Sequence, residues 1–163
     1  MSKWNQLSKL SKVAFLLAIV VGGYGLFMVA MGTTSPILVV TSGSMEPKIC
    51  RGDLLIIQYK KAEDIQILDI IVWMDTDTPI VSRVVEIEII YGEYYYTTKG
   101  DNNALRDPGV KSHDDIIGVV VGRIPWVGYI GLFLSSEFGV IIIVLLFLTI
   151  IIVSEFVSKG KDN

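Results

Sequence analysis

Polar and apolar positions divide the chain into three zones: an uncharged apolar run near each end and, between them, short apolar segments separated by turn residues. From Val13 to Met31 every position is apolar or glycine apart from Tyr24, 19 residues in all. At helical rise such a run is about 28 Å long, close to the thickness of a bilayer's hydrocarbon core, and it predicts a transmembrane helix. A cleaved signal peptide has a shorter apolar stretch, about 7–15 residues, with a small-residue cleavage site close behind; no such site follows promptly here. Near the other end, Phe138–Val153 carries no charge, and only Gly139 and Thr149 interrupt its aliphatic and aromatic residues. Sixteen residues cover about 24 Å, so a second span there borrows Phe156 and Val157 or thins the bilayer locally. The competing reading is a buried hairpin of β-branched strands. Lys3, Lys9 and Lys12 precede the first run and Lys159 and Lys161 follow the second, which by the positive-inside bias puts both tails in the cytoplasm.

Between these runs the period changes from helical to two. Leu54–Ile57, Ile70–Trp73, Val84–Ile90, Tyr94–Thr98 and Ile116–Val121 are short and β-branched or aromatic, with turn residues between them, and they predict a small antiparallel β domain. Val85, Ile87 and Ile89 alternate with Glu86 and Glu88, which predicts one buried and one wet face. Tyr91-Gly92-Glu93 turns the chain back into Tyr94-Tyr95-Tyr96, an aromatic triplet suited to strand packing.

With 163 residues, 52% apolar and a positive mean hydropathy, the chain is too apolar for an ordinary soluble domain and too short for a many-helix transporter. Residues 33–137 hold nine Lys/Arg against fifteen Asp/Glu, a net charge of −6, which argues against nucleic acid as a partner. Cys50 is the single cysteine, so no intrachain disulfide forms, and it reads as a small buried residue. No His/Cys cluster has metal-ligand spacing and no Gly-rich phosphate loop is present, so neither metal nor organic cofactor is expected.

The candidate chemistry is the string Thr41-Ser42-Gly43-Ser44-Met45-Glu46-Pro47, just beyond the first apolar run. A serine hydroxyl is a weak nucleophile that needs a base for its proton and donors for the oxyanion it creates. Ser44 is the candidate nucleophile, with Ser42 and nearby backbone N–H groups as oxyanion donors. By itself the string also fits a strand end entering a turn, its hydroxyls bonded to local backbone.

Four more blocks follow in order: Arg51-Gly52-Asp53 with Leu68-Asp69-Ile70-Ile71-Val72; Pro79-Ile80-Val81-Ser82-Arg83-Val84; Thr98-Lys99-Gly100-Asp101-Asn102-Asn103; and Asp115-Ile116-Ile117-Gly118 with Arg123-Ile124-Pro125-Trp126-Val127-Gly128. Together the five resemble type I signal peptidases of the archaeal and endoplasmic-reticulum kind, over residues 37–131 or so. The resemblance implies a membrane-bound serine endopeptidase that removes N-terminal signal peptides from translocated preproteins, cutting after small residues. It implies Ser44 as nucleophile, Asp115 as the acidic residue and Asp101 as a further important position. It also implies signal peptides, membrane lipid and the secretion machinery as partners, and residence in an archaeal plasma membrane or the endoplasmic reticulum.

The third block departs from the family. Where the archaeal and reticulum enzymes have a histidine base and the bacterial ones a lysine, this chain has Ser82, and a hydroxyl does not accept a proton at neutral pH as imidazole does. Three readings follow. The base has moved to His113, which on an extended chain faces the same way as Asp115 about 6.6 Å away; or Lys99 serves as base; or the chain keeps the fold and binds signal peptides or partner subunits while cleaving poorly or not at all. Leu68 is a smaller departure, standing where the family has glycine, in a turn.

The expected architecture is therefore mainly β: a cytoplasmic tail and transmembrane helix over 1–34, an extracytoplasmic antiparallel β catalytic domain over 35–131, and a second transmembrane helix and cytoplasmic tail over 132–163.

Overall fold

The structure is a computed structural model describing residues 9–159; Lys3 and Lys161, on which the expected orientation partly rests, lie outside the described residues. α1 (Lys9–Met31) covers the first apolar run as one helix, and none of its apolar span is buried inside the protein. It stops at Gly32, whose φ of 65° suits the left-handed residue that ends a helix. Tyr59 N donates to the Met31 carbonyl at 2.8 Å, tying the helix end to the domain.

Seven strands follow: β1 (Ile37–Val39), β2 (Leu54–Gln58), β3 (Ile70–Asp75), β4 (Thr78–Ile90), β5 (Glu93–Lys99), β6 (Lys111–Ser112) and β7 (Ile116–Ile124). They form one sheet in the order β1-β2-β7-β3-β4-β5-β6, with every neighbouring pair antiparallel. The five expected strands are β2, β3, β4, β5 and β7. The two edge strands have three and two residues, too few to show a period.

The β4–β5 hairpin closes through Tyr91 and Gly92, with φ of 54° and 89°. Positive φ at both loop positions is the type I′ geometry that matches strand twist. The alternation expected in β4 fails at one point. Val84 pairs with Thr98 and Glu86 with Thr97, so Val85 is the extra residue of a bulge. Val84 is buried and Ile87 packs on the core, whereas Ile89 is 60% exposed.

The sheet buries two apolar clusters. Ile65, Ile71, Trp73, Val84, Tyr96, Ile116 and Val119 form one; Val40, Met45, Ile49 and Leu55 form the other, under β1 and the segment that follows it. The Arg51-Gly52-Asp53 block joins the chain's two halves: Asp53, 1% exposed, accepts hydrogen bonds from Cys50 N, Arg123 Nη1 and Trp126 N. Gly52 suits this packing, with a φ of 84° and a hydrogen where a Cβ would sit 2.1 Å from the Tyr129 ring.

After β7 come α2 (Gly128–Leu134) and α3 (Glu137–Lys159), so the second apolar run is helical and the hairpin alternative is excluded. Among the described residues only α1 by itself is long and apolar enough to cross a membrane; α2 and α3 qualify together, across a 75° bend.

Candidate active site

The site begins where β1 ends. Val40 is pinned on both sides, donating its N–H to Asp53 O and accepting from Gly52 N. Five residues later Met45 is 1% exposed in the apolar cluster, and its carbonyl accepts from Ile49 N. Thr41–Ser44 is thus stretched between two buried anchors and stands at the surface. Ser42 Oγ and Ser44 Oγ lie 3.1 Å apart and share a hydrogen bond.

A second segment braces this loop from the side. Asn102 N donates to Ser44 O at 2.8 Å, and Asn102 Nδ2 donates to Gly43 O at 3.2 Å. A Cβ on Gly100 would come within 2.7 Å of the Ser44 carbonyl oxygen, so only glycine allows the two backbones this close. Asp101 then reaches β4: its carboxylate takes both Arg83 Nε, at 2.7 Å, and Arg83 Nη2, while Arg83 Nη1 donates to Leu68 O at 2.8 Å. The bidentate guanidinium holds the Asp101 carboxyl below its ordinary range, and the carboxylate raises Arg83 in turn. Asp101 is therefore part of the brace on Ser44.

Ser82 follows from strand geometry. It shares the inward face of β4 with Val84 and is 1% exposed. Thr98, opposite Val84 on β5, is fully buried and donates its hydroxyl to Asp107 Oδ2 at 2.8 Å. Asp107 N donates back to Thr98 O, so Asp107 is held at two points. Its loop is closed by Lys111, 4% exposed, whose ammonium donates to Pro108 O and Gly109 O and lies 4.2 Å over the Trp73 ring. Burial pushes the Lys111 pKa down.

These pieces meet in a cleft of about 550 Å³, walled by Leu38–Ser42 and Thr78–Ser82, with Ser44, Met45, Asn103 and Asp107 completing it. Ser42, Ser44 and Ser82 come together as expected. The other expected residues do not line this cleft. His113–Asp115 is a turn of 3₁₀-helix, so the extended geometry supposed for this pair is absent. Asp115 accepts from Ser112 N at 2.9 Å and Ser112 Oγ at 2.8 Å, capping that turn. His113 Nε2 pairs with Tyr59 Oη at 3.3 Å, and its ring lies against those of Tyr59 and Tyr96, beside a separate cavity of about 410 Å³. Lys99 is cross-strand from Arg83, on the opposite face from Thr98, and lines a groove with Arg83 and Asp101. Asp107 was not foreseen. It lies six residues beyond Asp101 on the same loop, whereas the resemblance of the Asp115-Ile116-Ile117-Gly118 block implies Asp115.

No protein-family model matches the chain. Curated relatives do. A signal peptidase complex catalytic subunit sec11 from Pyrenophora teres f. teres is 41% identical over 122 residues, 66% of this chain and 68% of that protein. One from Pyricularia oryzae is 40% identical over 119 residues, 67% of this chain and 69% of that protein. The human signal peptidase complex catalytic subunit SEC11C is 36% identical over 119 residues, 67% of this chain and 62% of its own.

Proposed function

The chain belongs to the type I signal peptidase family, endoplasmic-reticulum kind, and on that premise we propose that it is a membrane-anchored serine endopeptidase acting on the signal peptides of translocated preproteins. The observation that carries this is the Ser42–Ser44 hydroxyl pair, 3.1 Å apart at the mouth of a cleft that also holds Ser82 and Asp107. An extended preprotein segment lies along β1, an edge strand of the sheet, between Leu38–Val40 and Thr78–Val81. Ser44 Oγ attacks the scissile carbonyl, and the Ser42 hydroxyl with neighbouring backbone N–H groups holds the oxyanion. The acidic role falls to Asp107 and not to Asp115, because only the former lines the cleft. α1 and the α2–α3 pair anchor the domain on the extracytoplasmic side, and partner subunits of a signal peptidase complex are its natural neighbours.

A second reading, of slow cleavage with binding retained, is favoured by one observation: the cleft lining holds no histidine or lysine among the described residues. Oxyanion donors and binding alone sustain about 10³–10⁴-fold over water. Purified full-length chain is incubated with a preprotein, and separately with a fluorophosphonate probe. Cleavage and labelling that disappear in Ser44→Ala fit the proposal; full activity in that variant ends it.

A further inference from the structure

Resting on Ser44 as nucleophile, we propose that the cleft accepts an imidazole from outside the chain, supplied by a histidine of the bound polypeptide, which lies between Ser44 and Asp107 above Ser82 and acts as general base. Among the described residues lining the cleft, Asp107 is the one titratable side chain. A carboxylate is a far weaker base than an imidazole toward a serine hydroxyl, but it is the group that orients an imidazole by accepting its second N–H. Asp107 is prepared for this. Thr98 occupies one position on Oδ2 and fixes the carboxylate, which keeps further lone pairs for another donor.

Ser82 leaves the room. It sits on the cleft floor, 1% exposed, two residues along β4 from Val84, whose cross-strand partner is the threonine that holds Asp107. Its side chain ends at a hydroxyl, shorter than an imidazole or a lysine chain at the same position. An extended polypeptide running along β1 turns alternate side chains toward one wall, so histidines of one parity reach this floor and those of the other parity face away.

The chemistry closes without a co-reactant. The unprotonated imidazole nitrogen takes the Ser44 proton as Oγ bonds to the carbonyl carbon, and returns it to the leaving amine as the C–N bond breaks. A ring on the acyl side of the scissile bond stays in the cleft, takes a proton from the water that attacks the ester and delivers it to Ser44 Oγ as the acyl group departs; a ring on the leaving side serves acylation alone. Asp107 accepts the other ring N–H throughout.

The test uses the full chain in nanodiscs and a histidine-free preprotein into which single histidines are scanned on both sides of the scissile bond. Histidine at positions of one parity should raise cleavage by about 10²-fold over alanine at the same position. The gain should grow as pH rises through about 6.5, where imidazole loses its proton. Free imidazole added to the histidine-free preprotein should give a saturable gain, and Asp107→Asn and Ser82→Leu should erase both effects. Since a larger residue on a buried floor risks unfolding, Ser82→Val is the second block, with the thermal midpoint measured for each. A gain from free imidazole with a flat histidine scan would show that the polypeptide does not supply the ring and overturns the proposal. No gain in either arm, while Ser82→His cleaves, overturns the imidazole site and leaves Ser44 as nucleophile. If Ser82→His is also inert and Ser44 takes no fluorophosphonate, the nucleophile assignment fails and the proposal with it.

Discussion

Ser82 is the residue at which this chain and its family differ in chemistry. Because it faces the cleft that holds Ser44 and Asp107, Ser82→His should place an imidazole beside the nucleophile and raise preprotein cleavage by about 10²–10⁴-fold. The gain should be lost in an Asp107→Asn background and kept in Asp115→Asn, since Asp115 is engaged with Ser112. His113→Ala and Cys50→Ala should leave cleavage unchanged: His113 is paired with Tyr59, and the Cys50 thiol donates weakly to Pro47 O at 3.5 Å. The Arg83–Asp101 pair sets the acid limit of the brace. The Asp101 pKa is lowered by its hydrogen bonds from Arg83, so the pair's stabilisation is present above the unfolded carboxylate value near 3.9 and is lost as pH falls through the lower folded value. Arg83→Met should therefore move the acid-induced loss of structure to higher pH, followed by tryptophan fluorescence.

At the scale of elements, Leu68, Thr76, Tyr91 and Trp126 are side chains on backbones that disfavour them. Leu68 has a φ of 78° and is 66% exposed, where the family has glycine. A left-handed non-glycine residue costs about 1–2 kcal/mol, offset by about 0.5–1 kcal/mol for the added freedom of glycine in the unfolded chain. Leu68→Gly should therefore stabilise the domain by about 0.5–1 kcal/mol, read from urea unfolding at unchanged slope. Tyr91, wholly exposed at a φ of 54°, is the parallel case in the β4–β5 hairpin. Tyr91→Asn should raise stability by a few tenths to about 1 kcal/mol, because asparagine tolerates the left-handed region. The Val85 bulge has the opposite character: it ends the inward run of Ser82 and Val84 and lets β4 continue as an exposed hairpin.

For the whole molecule, the chain leaves the sheet at Trp126, 73% exposed, and enters α2, which carries no charge and presents Tyr129, Ile130, Phe133 and Leu134 outward. α3 is bent 75° from it, so on the proposed anchoring, with α3 crossing the bilayer, α2 would lie nearly flat at its surface, where an aromatic-rich helix suits the interfacial layer. The expected topology has residues 33–137 outside the cytoplasm. Protease added to sealed, right-side-out vesicles should cut this domain and spare tags on both tails; loss of an N-terminal tag would reverse the arrangement.

Both apolar runs, five of the seven strands, the hairpin at Tyr91-Gly92 and the serine string were legible in the sequence because each depends on local periods, turn residues or a contiguous motif. The cleft was not, because its walls come from segments far apart in the chain. Which acid lines the cleft with Ser44 depends on the β4–β5 register that puts Thr98 opposite Val84, and on the loop that Lys111 closes. Asp115 and Asp107 are equally plausible as letters, but one caps a 3₁₀ turn and the other hangs from a buried threonine. Lys99 and His113 lie outside the cleft for the same reason: strand alternation turns one to the opposite face, and a turn of helix where extended chain is expected pairs the other with Tyr59. The sequence determined which elements form and which hydroxyl stands at the end of β1; pairing register and loop closure decided what surrounds it, since both arise from contacts between residues remote in the chain.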